Sequence, residues 1–407
     1  MKVDRRRFIG VSAATIGALS FPISGCARVL GAAESHSKTG LIFHELYMWH
    51  NTGNHAGPVP YGNPVQPYAH VEGPESKRRF RNLLEVTGLT DHLYMIKPRA
   101  ALESEILRFH SAEYIQKLKH LSSGIGGDAG PYTPMGTGSY EIALLSAGGV
   151  LAGLEAILEE KVNNAYALVR PPGHHALADL GLGFCLLGNA AIAGLHAFEN
   201  FDLERIAFVD WDVHHGNGTQ AAFYNDPRAL TISLHQDKLF PLDSGSHQEN
   251  GVGPGEGYNI NIPLPAGSGV GAYKYAFEQV VLPALHNFKP QLIIVPSGFD
   301  AGAQDPMGRM MMHSEGYRSL TKMIKDAAKL HCQGKLLMCH EGGYNPTTVP
   351  FDGLAVIEEL SGISTGTVDP FAPVFAELGG QELQPHQKAM VDKASILLEK
   401  LPATYVR

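Results

Sequence analysis

A recurring unit constrains this chain most: a short, almost wholly apolar and partly β-branched run that ends abruptly in a cluster of polar residues. Residues 165–169 lead into Arg170-Pro171-Pro172-Gly173-His174-His175. Residues 205–209 lead into Asp210-Trp211-Asp212-Val213-His214-His215-Gly216-Asn217-Gly218-Thr219. Three further runs follow the same plan: 229–234 into His235, 291–295 into Ser297-Gly298-Phe299-Asp300, and 335–338 into His340-Glu341-Gly342-Gly343-Tyr344. Continuous apolar runs of this length are strands buried on both faces. Apolar residues at helical spacing over 75–86, 101–118, 140–160, 189–198 and 314–331 predict helices before and between them. The expected fold is therefore α/β, a single domain with a mostly parallel central sheet and helices on both faces. Ligands of such sheets bind outside the carboxyl ends of the strands, and every polar cluster falls there.

Composition narrows the classes. Of 407 residues, 44% are hydrophobic and 18% charged, enough apolar side chain for a large core. A net charge of −8 lacks the basic excess that phosphate neutralisation requires, so no nucleic-acid partner is expected. Four cysteines without a CxxC pair do not make a disulfide framework, and Cys185, Cys332 and Cys339 read as reduced core thiols. Twenty histidines exceed what packing needs and direct attention to a metal. His110, His331 and His340 read as packing or surface residues. Loops rich in Gly, Pro and Asn cover 51–73 and 122–138, and long loops of this kind tend to be functional.

The start of the chain reads as a processing signal. Arg5-Arg6-Arg7-Phe8-Ile9 precedes an apolar run over 11–23, shorter than the roughly 20 residues a membrane span needs. A basic stretch before a short apolar one is an export signal, and paired arginines with a following Phe resemble the twin-arginine type. Ile23-Ser24-Gly25-Cys26 resembles a lipoprotein cleavage box with Cys26 lipidated. Cleavage near Gly31-Ala32-Ala33, or an uncleaved start, are the other readings. The expected organisation is an export signal and short linker over 1–38 and a catalytic domain over 39–407, exported to the periplasm or lipid-anchored at the envelope of a bacterium. Cleavage before Cys26 removes Lys2, Arg5, Arg6 and Arg7 but only one acid, Asp4, so the remainder is more acidic still. Membrane attachment would then rest on the lipid rather than on charge. Homo-oligomer formation is left open.

Asp212 and His214 are two apart, so on extended backbone their side chains share a side and can grip one ion. Asp300, from another strand end, supplies a third ligand. Two carboxylates and an imidazole with a fourth position open have the ligand count of a catalytic zinc site. Each residue alone is better explained as a helix cap or loop histidine, but three together at strand ends are not. His174 and His175 follow a Pro-Pro-Gly turn that would hold two imidazoles at a strand end, suited to moving a proton from water to a leaving amine. Each needs an acceptor on its far nitrogen, and Asp210 and Asn217 are the nearest by motif. Tyr344 follows two glycines that permit close approach, so its phenol could donate to a developing oxyanion.

These motifs, with Gly183-Phe184-Cys185 and Asp305-Pro306, resemble the zinc-dependent histone deacetylase family, which includes bacterial acetylpolyamine and acetoin-utilisation amidohydrolases. The resemblance runs from about residue 39 to the C-terminus, and Asn217 points to a bacterial homologue of the second class. It implies Zn²⁺ on Asp212, His214 and Asp300, His174 and His175 as the electrostatic and acid/base pair, and Tyr344 as oxyanion donor. It further implies a narrow channel walled by Gly183, Phe184 and Phe240, with Met307 near its mouth. A structural K⁺ would sit at Asp210, Asp212, His214, Ser233 and Leu234, and Asp128 matches a rim acid that grips substrate amides. The expected activity is hydrolysis of an acetyl or other short acyl group from an N-acylated amine, an acyl-lysine or a related small acylated amine. Polyamine-specific relatives carry Glu directly after the Asp-Pro pair, where this chain has Met307, which argues against the alternative of an acetylpolyamine amidohydrolase. A binuclear-metal ureohydrolase would need a further Asp after His215, which is Gly216, and an inactive acyl-binding module would leave a full set of chemical roles unused.

Overall fold

A computed structural model describes residues 38–55, 62 and 64–401. The processing-signal reading, including Arg5, Arg6 and Cys26, falls outside the described residues. Eight parallel strands form the central sheet: β1 (Thr39–Ile42), β2 (Tyr94–Ile96), β3 (Asn164–Ala167), β4 (Ile206–Asp210), β5 (Ala229–Gln236), β6 (Asn259–Leu264), β7 (Leu292–Ser297) and β8 (Leu336–His340). Their order is β6-β5-β4-β7-β8-β3-β1-β2.

Strand geometry explains why the runs are so nearly apolar throughout. Successive side chains point to opposite faces, and both faces are covered. On one face Tyr166, Ala207, Val209, Ile232, Ile293, Val295 and Met338 pack with α1 (Glu75–Val86), α4 (Ser314–Cys332) and α5 (Val349–Ser361). On the other, Ala165, Ala167, Phe208, Ile294 and Leu337 pack with α2 (Ser139–Leu158) and α3 (Asn189–Asn200). Helix α2 is long and apolar enough to cross a membrane by composition, but 67% of its apolar window is buried inside the domain. Its Gly153 permits that packing, since a Cβ there would meet Ile42 Cδ1 at 2.9 Å.

One predicted helix is divided. In place of a helix over 101–118 there is a turn at Glu103–Ile106 and a helix at Ala112–Ser123. Ser111 adopts an extended conformation, and its hydroxyl accepts from Tyr114 N, an N-cap that starts the second piece afresh. The loop over 122–138 also carries a two-stranded ladder, Gly127–Asp128 against Pro134–Met135.

The strand order positions the site. The chain forms β3 and β4 three positions apart and later inserts β7 and β8 between them. Segments ending near residues 170, 210, 297 and 340 thereby become neighbours with their carboxyl ends aligned.

Candidate active site

At the end of β4, Asp210 Oδ1 accepts Asp212 N at 3.0 Å and Asp212 Oδ1 accepts His214 N at 2.9 Å. Asp212 and His214 do converge, but these two side-chain turns curl the backbone; continued extension does not bring them together. From the end of β7, Asp300 Oδ1 accepts Val213 N at 2.8 Å, and from beyond β8 Gly342 N donates to Asp212 Oδ2 at 2.8 Å. His214 Nδ1 lies 3.1 Å from both Asp212 Oδ1 and Asp300 Oδ2.

Burial and like charge make this triad a candidate cation site. Asp212 and Asp300 are fully buried, and beyond the 3.1 Å approach of His214 Nδ1, Asp300 Oδ2 has no hydrogen-bond partner. One ligand atom from each of Asp212, His214 and Asp300 lies within 4.8 Å of the others. Burial and the Asp212 charge raise the Asp300 carboxyl. Burial opposes ionisation of Asp212 too, yet the His174 and His214 imidazoles outweigh it and hold Asp212 low. Burial also disfavours a charged His214, but the two carboxylates push its imidazole up to about 10. Two converging carboxylates, an orphaned oxygen and an imidazole fit a divalent cation that would take the place of the His214 proton.

The adjacent imidazoles differ in their surroundings. His174 Nδ1 lies 2.9 Å from Asp210 Oδ2, and His175 Nδ1 lies 2.7 Å from Asn217 Oδ1, the two acceptors expected from the motif. The rings stand 4.0 Å apart. Burial lowers His174, but Asp212 and Asp210 outweigh it and raise it well above the usual range. His175 is lowered well below that range by burial and by the neighbouring His174 and His214. The surroundings thus favour the charged form at His174 and the neutral form at His175. Burial raises Asp210 to about 6 against the pull of His174. Glu341 Oε2 ties the pair to β8 by accepting Gly173 N at 2.6 Å and His174 N at 3.1 Å.

Above the triad lies a cavity of about 200 Å³ lined by Tyr132, His175, Gly183, Phe184, His214, Leu239, Phe240, Met307 and Tyr344. Phe184 and Tyr344 rings meet edge-on at 5.7 Å, and Phe240 stands 4.9 Å from His175. Gly183 is required here: a Cβ would come 2.8 Å from the Phe240 ring, and its φ of 51° is left-handed. Burial, then Asp300 and Asp212, raise the Tyr344 phenol well above its usual value, which keeps it a donor. Behind the cavity the fully buried Arg170 donates from Nε to Glu72 at 2.8 Å and from Nη1 to His50 O at 2.7 Å, and Lys77 reaches Glu72 at 3.3 Å. The Lys77 ammonium sits 5.2 Å from the Tyr344 ring centroid.

The structure brings together the expected ligands, imidazoles, acceptors, phenol and the channel residues Gly183, Phe184, Phe240 and Met307. Asp210 and Ser233 are register partners across β4 and β5, with Leu234 next along, all buried. Asp128 is exposed on its short ladder, outside the cavity lining, whereas Tyr132 of the same loop lines the cavity. Cys185, Cys332 and Cys339 are buried free thiols, and His110 and His340 are packed inside. Sequence reasoning did not single out Tyr132, Leu239, Glu72 or Lys77. Glu72 meets Arg170 across 98 positions, a pairing with no local signal.

The histone deacetylase domain family matches residues 70–360. The histone deacetylase-like amidohydrolase of Pseudomonas aeruginosa is 47% identical over 371 residues, covering 90% of this chain and 96% of that protein. A probable deacetylase of Archaeoglobus fulgidus is 35% identical over 333 residues, covering 81% of this chain and 88% of its own length. The crystal structure of the HDA15 HD domain superposes with a TM-score of 0.75 at 32% identity, covering 90% of this chain and 99% of that one. Sheet, site and relatives together define a hydrolase of amide bonds. Within that class the chain belongs to the histone deacetylase family.

Proposed function

We propose that the protein is a zinc-dependent amidohydrolase that removes an acetyl or other short acyl group from an acyl-lysine or a related small acylated amine. The observation that carries this reading is that His175, His214 and Tyr344 open onto one narrow cavity walled by Phe184 and Phe240. Such a cavity admits an aliphatic stem and presents its acyl end to the polar floor. Asp212, His214 and Asp300 would hold the metal. Bound zinc supplies Lewis acidity to the acyl carbonyl and acidifies water. His175, kept neutral and oriented by Asn217, takes the proton from water and delivers it to the leaving amine. The charged His174 stabilises the negative charge that develops, and Tyr344 donates its phenol hydrogen to the acyl oxygen. A monovalent cation, K⁺, at Asp210, Asp212, His214, Ser233 and Leu234 would brace the β4 turn. The test is zinc-loaded protein assayed on acetyl-lysine, trifluoroacetyl-lysine and acetylated polyamines. No hydrolysis of any of them would overturn the reading.

Met307 on the cavity wall sets selectivity. A thioether cannot pair with the distal ammonium of a polyamine, whereas a carboxylate there could, with a charge-assisted hydrogen bond worth about 1.5–3 kcal/mol. Met307→Glu is expected to raise selectivity for acetylspermidine over an uncharged acetyl-lysine peptide by about tenfold or more. A wild type that already prefers acetylated polyamines strongly would refute it.

The N-terminal sequence supports export by the twin-arginine route and a lipid anchor at Cys26. Arg5→Lys with Arg6→Lys is expected to retain the protein in the cytoplasm, and Cys26→Ala to abolish lipid labelling. Unchanged fractionation of the first variant would rule out the route, and an unlabelled wild type would rule out the anchor.

A further inference from the structure

We propose that Asp305 is a positioning residue for Tyr344: a single buried carboxylate that ties the phenol's loop and the channel-wall residue Met307 into one unit. The inference rests on the amidohydrolase reading and extends it. Asp305 is 7% exposed, five residues beyond Asp300. Its Oδ2 accepts Tyr344 N at 2.7 Å, and its Oδ1 accepts Met307 N at 2.8 Å. Its own N–H donates to Gly302 O at 3.0 Å, which ties it to the loop that presents Asp300.

The surroundings of Tyr344 give this tether its importance. Gly342 and Gly343 precede it, and Gly343 has a φ of 120°; Gly342 N donates to Asp212 Oδ2 at 2.8 Å and the Ser76 hydroxyl donates to Gly343 O at 2.8 Å, so the loop is anchored up to, but not at, Tyr344. The ring is contacted by Phe184 edge-on and by the Lys77 ammonium, neither of which fixes its reach toward the cation site. The bond from Tyr344 N to Asp305 is the next anchor along the chain and the one at the tyrosine itself, and so sets how far the phenol extends. Two amides approach two different oxygens, and only a carboxylate accepts at both. An asparagine would turn an NH₂ toward one N–H donor and lose that bond. A displacement of the order of an ångström at a catalytic group can cost about a hundredfold.

The test is Asp305→Asn in the full-length, zinc-loaded protein, alone and combined with Tyr344→Phe, with kcat and KM measured on acetyl-lysine and trifluoroacetyl-lysine substrates. Zinc content should match wild type and KM should stay within about twofold, while kcat on the acetyl substrate falls about 10- to 100-fold and less on trifluoroacetyl. Once the hydroxyl is gone its position no longer matters, so in the Tyr344→Phe background the same substitution should cost under about threefold. An equal loss in both backgrounds, or loss of zinc, would overturn the proposal. If Asp305→Asn does not fold, Asp305→Ser supplies the same comparison. Failure of both to fold would mark Asp305 as a folding determinant and overturn the role. A wild type inert on every acyl substrate overturns the amidohydrolase reading and this one with it, whereas an active wild type matched by Asp305→Asn overturns this one alone.

Discussion

Asp300→Ala and Asp212→Ala are each expected to lose bound metal and activity together. Three side chains from two strand ends would form the proposed cation site, and removing either carboxylate leaves two donors and too little negative charge to hold a catalytic zinc. The effect should be visible without any substrate. A metal held only by the native state stabilises wild type by about 4 kcal/mol at a thousandfold excess over its dissociation constant. Neither variant should show a zinc-dependent rise in Tm. Wild-type affinity should also depend on pH with a definite sign. His214 between its carboxylates keeps its proton up to about 10, and the metal must displace that proton. Affinity should therefore rise with pH, by about tenfold per unit below that value, for the single proton released. Stoichiometric zinc retained in either alanine variant, with the metal-dependent Tm shift intact, would refute the assignment of these ligands.

The strands that build the site were the most legible part of the fold. β3, β4, β5, β7 and β8 are buried on both faces, so they are largely apolar, with Thr231 and Ser233 of β5 the interior exceptions, and each stops near the carboxyl edge where the polar clusters begin. β2 and β6 lie at the sheet's two edges and were not evident. The first is three residues long, and the second reads Asn-Ile-Asn-Ile-Pro-Leu, whose asparagines and proline resemble a loop. Strand order was beyond reach, because the insertion of β7 and β8 between β3 and β4 depends on long-range packing. The break at Ser111 was readable in principle, since a serine three residues before Tyr114 is an N-cap signal, but an uninterrupted apolar spacing on either side concealed it.

Within the site, residues whose chemistry depends on near neighbours were legible and residues that act across the fold were not. Asp212 and His214 declare themselves by spacing, and the acceptors Asp210 and Asn217 by their place in the same motif. The group behind Tyr344 is different in kind. Lys77 comes from α1, Glu72 from the loop before it and Arg170 from the end of β3, and only the folded chain places one acid between two bases. Burial would raise Glu72, but Arg170 and Lys77 outweigh it and hold the carboxyl below its usual range. The cavity wall shows the same division. Phe184 and Phe240 were reached through motif resemblance, whereas Tyr132 arrives on a loop whose path is set by the small ladder beside it.

Tyr344→Phe should reduce kcat on acetyl substrates about 10²–10³-fold, the usual cost of losing one oxyanion donor. The substitution deletes a hydroxyl and keeps the ring, so the edge-on contact with Phe184 and the Lys77 ammonium over the ring both survive, as does the backbone bond to Asp305. Fold and zinc content should therefore be unchanged. Because the acyl oxygen becomes strongly negative only as water attacks, the lost bond belongs to the transition state, and KM should move little. Burial and the Asp300 and Asp212 charges hold the phenol protonated throughout the neutral range. The loss should then be constant between about pH 6 and 9, with no new limb in the profile. A trifluoroacetyl carbonyl is already electrophilic and leans less on the donor, so the loss there should be smaller. The measurement is kcat and KM for both substrates in both proteins at matched zinc occupancy. A Phe variant within about threefold of wild type on the acetyl substrate would show that the phenol faces away from the reacting oxygen, and the donor role would then fall to another group on the cavity floor.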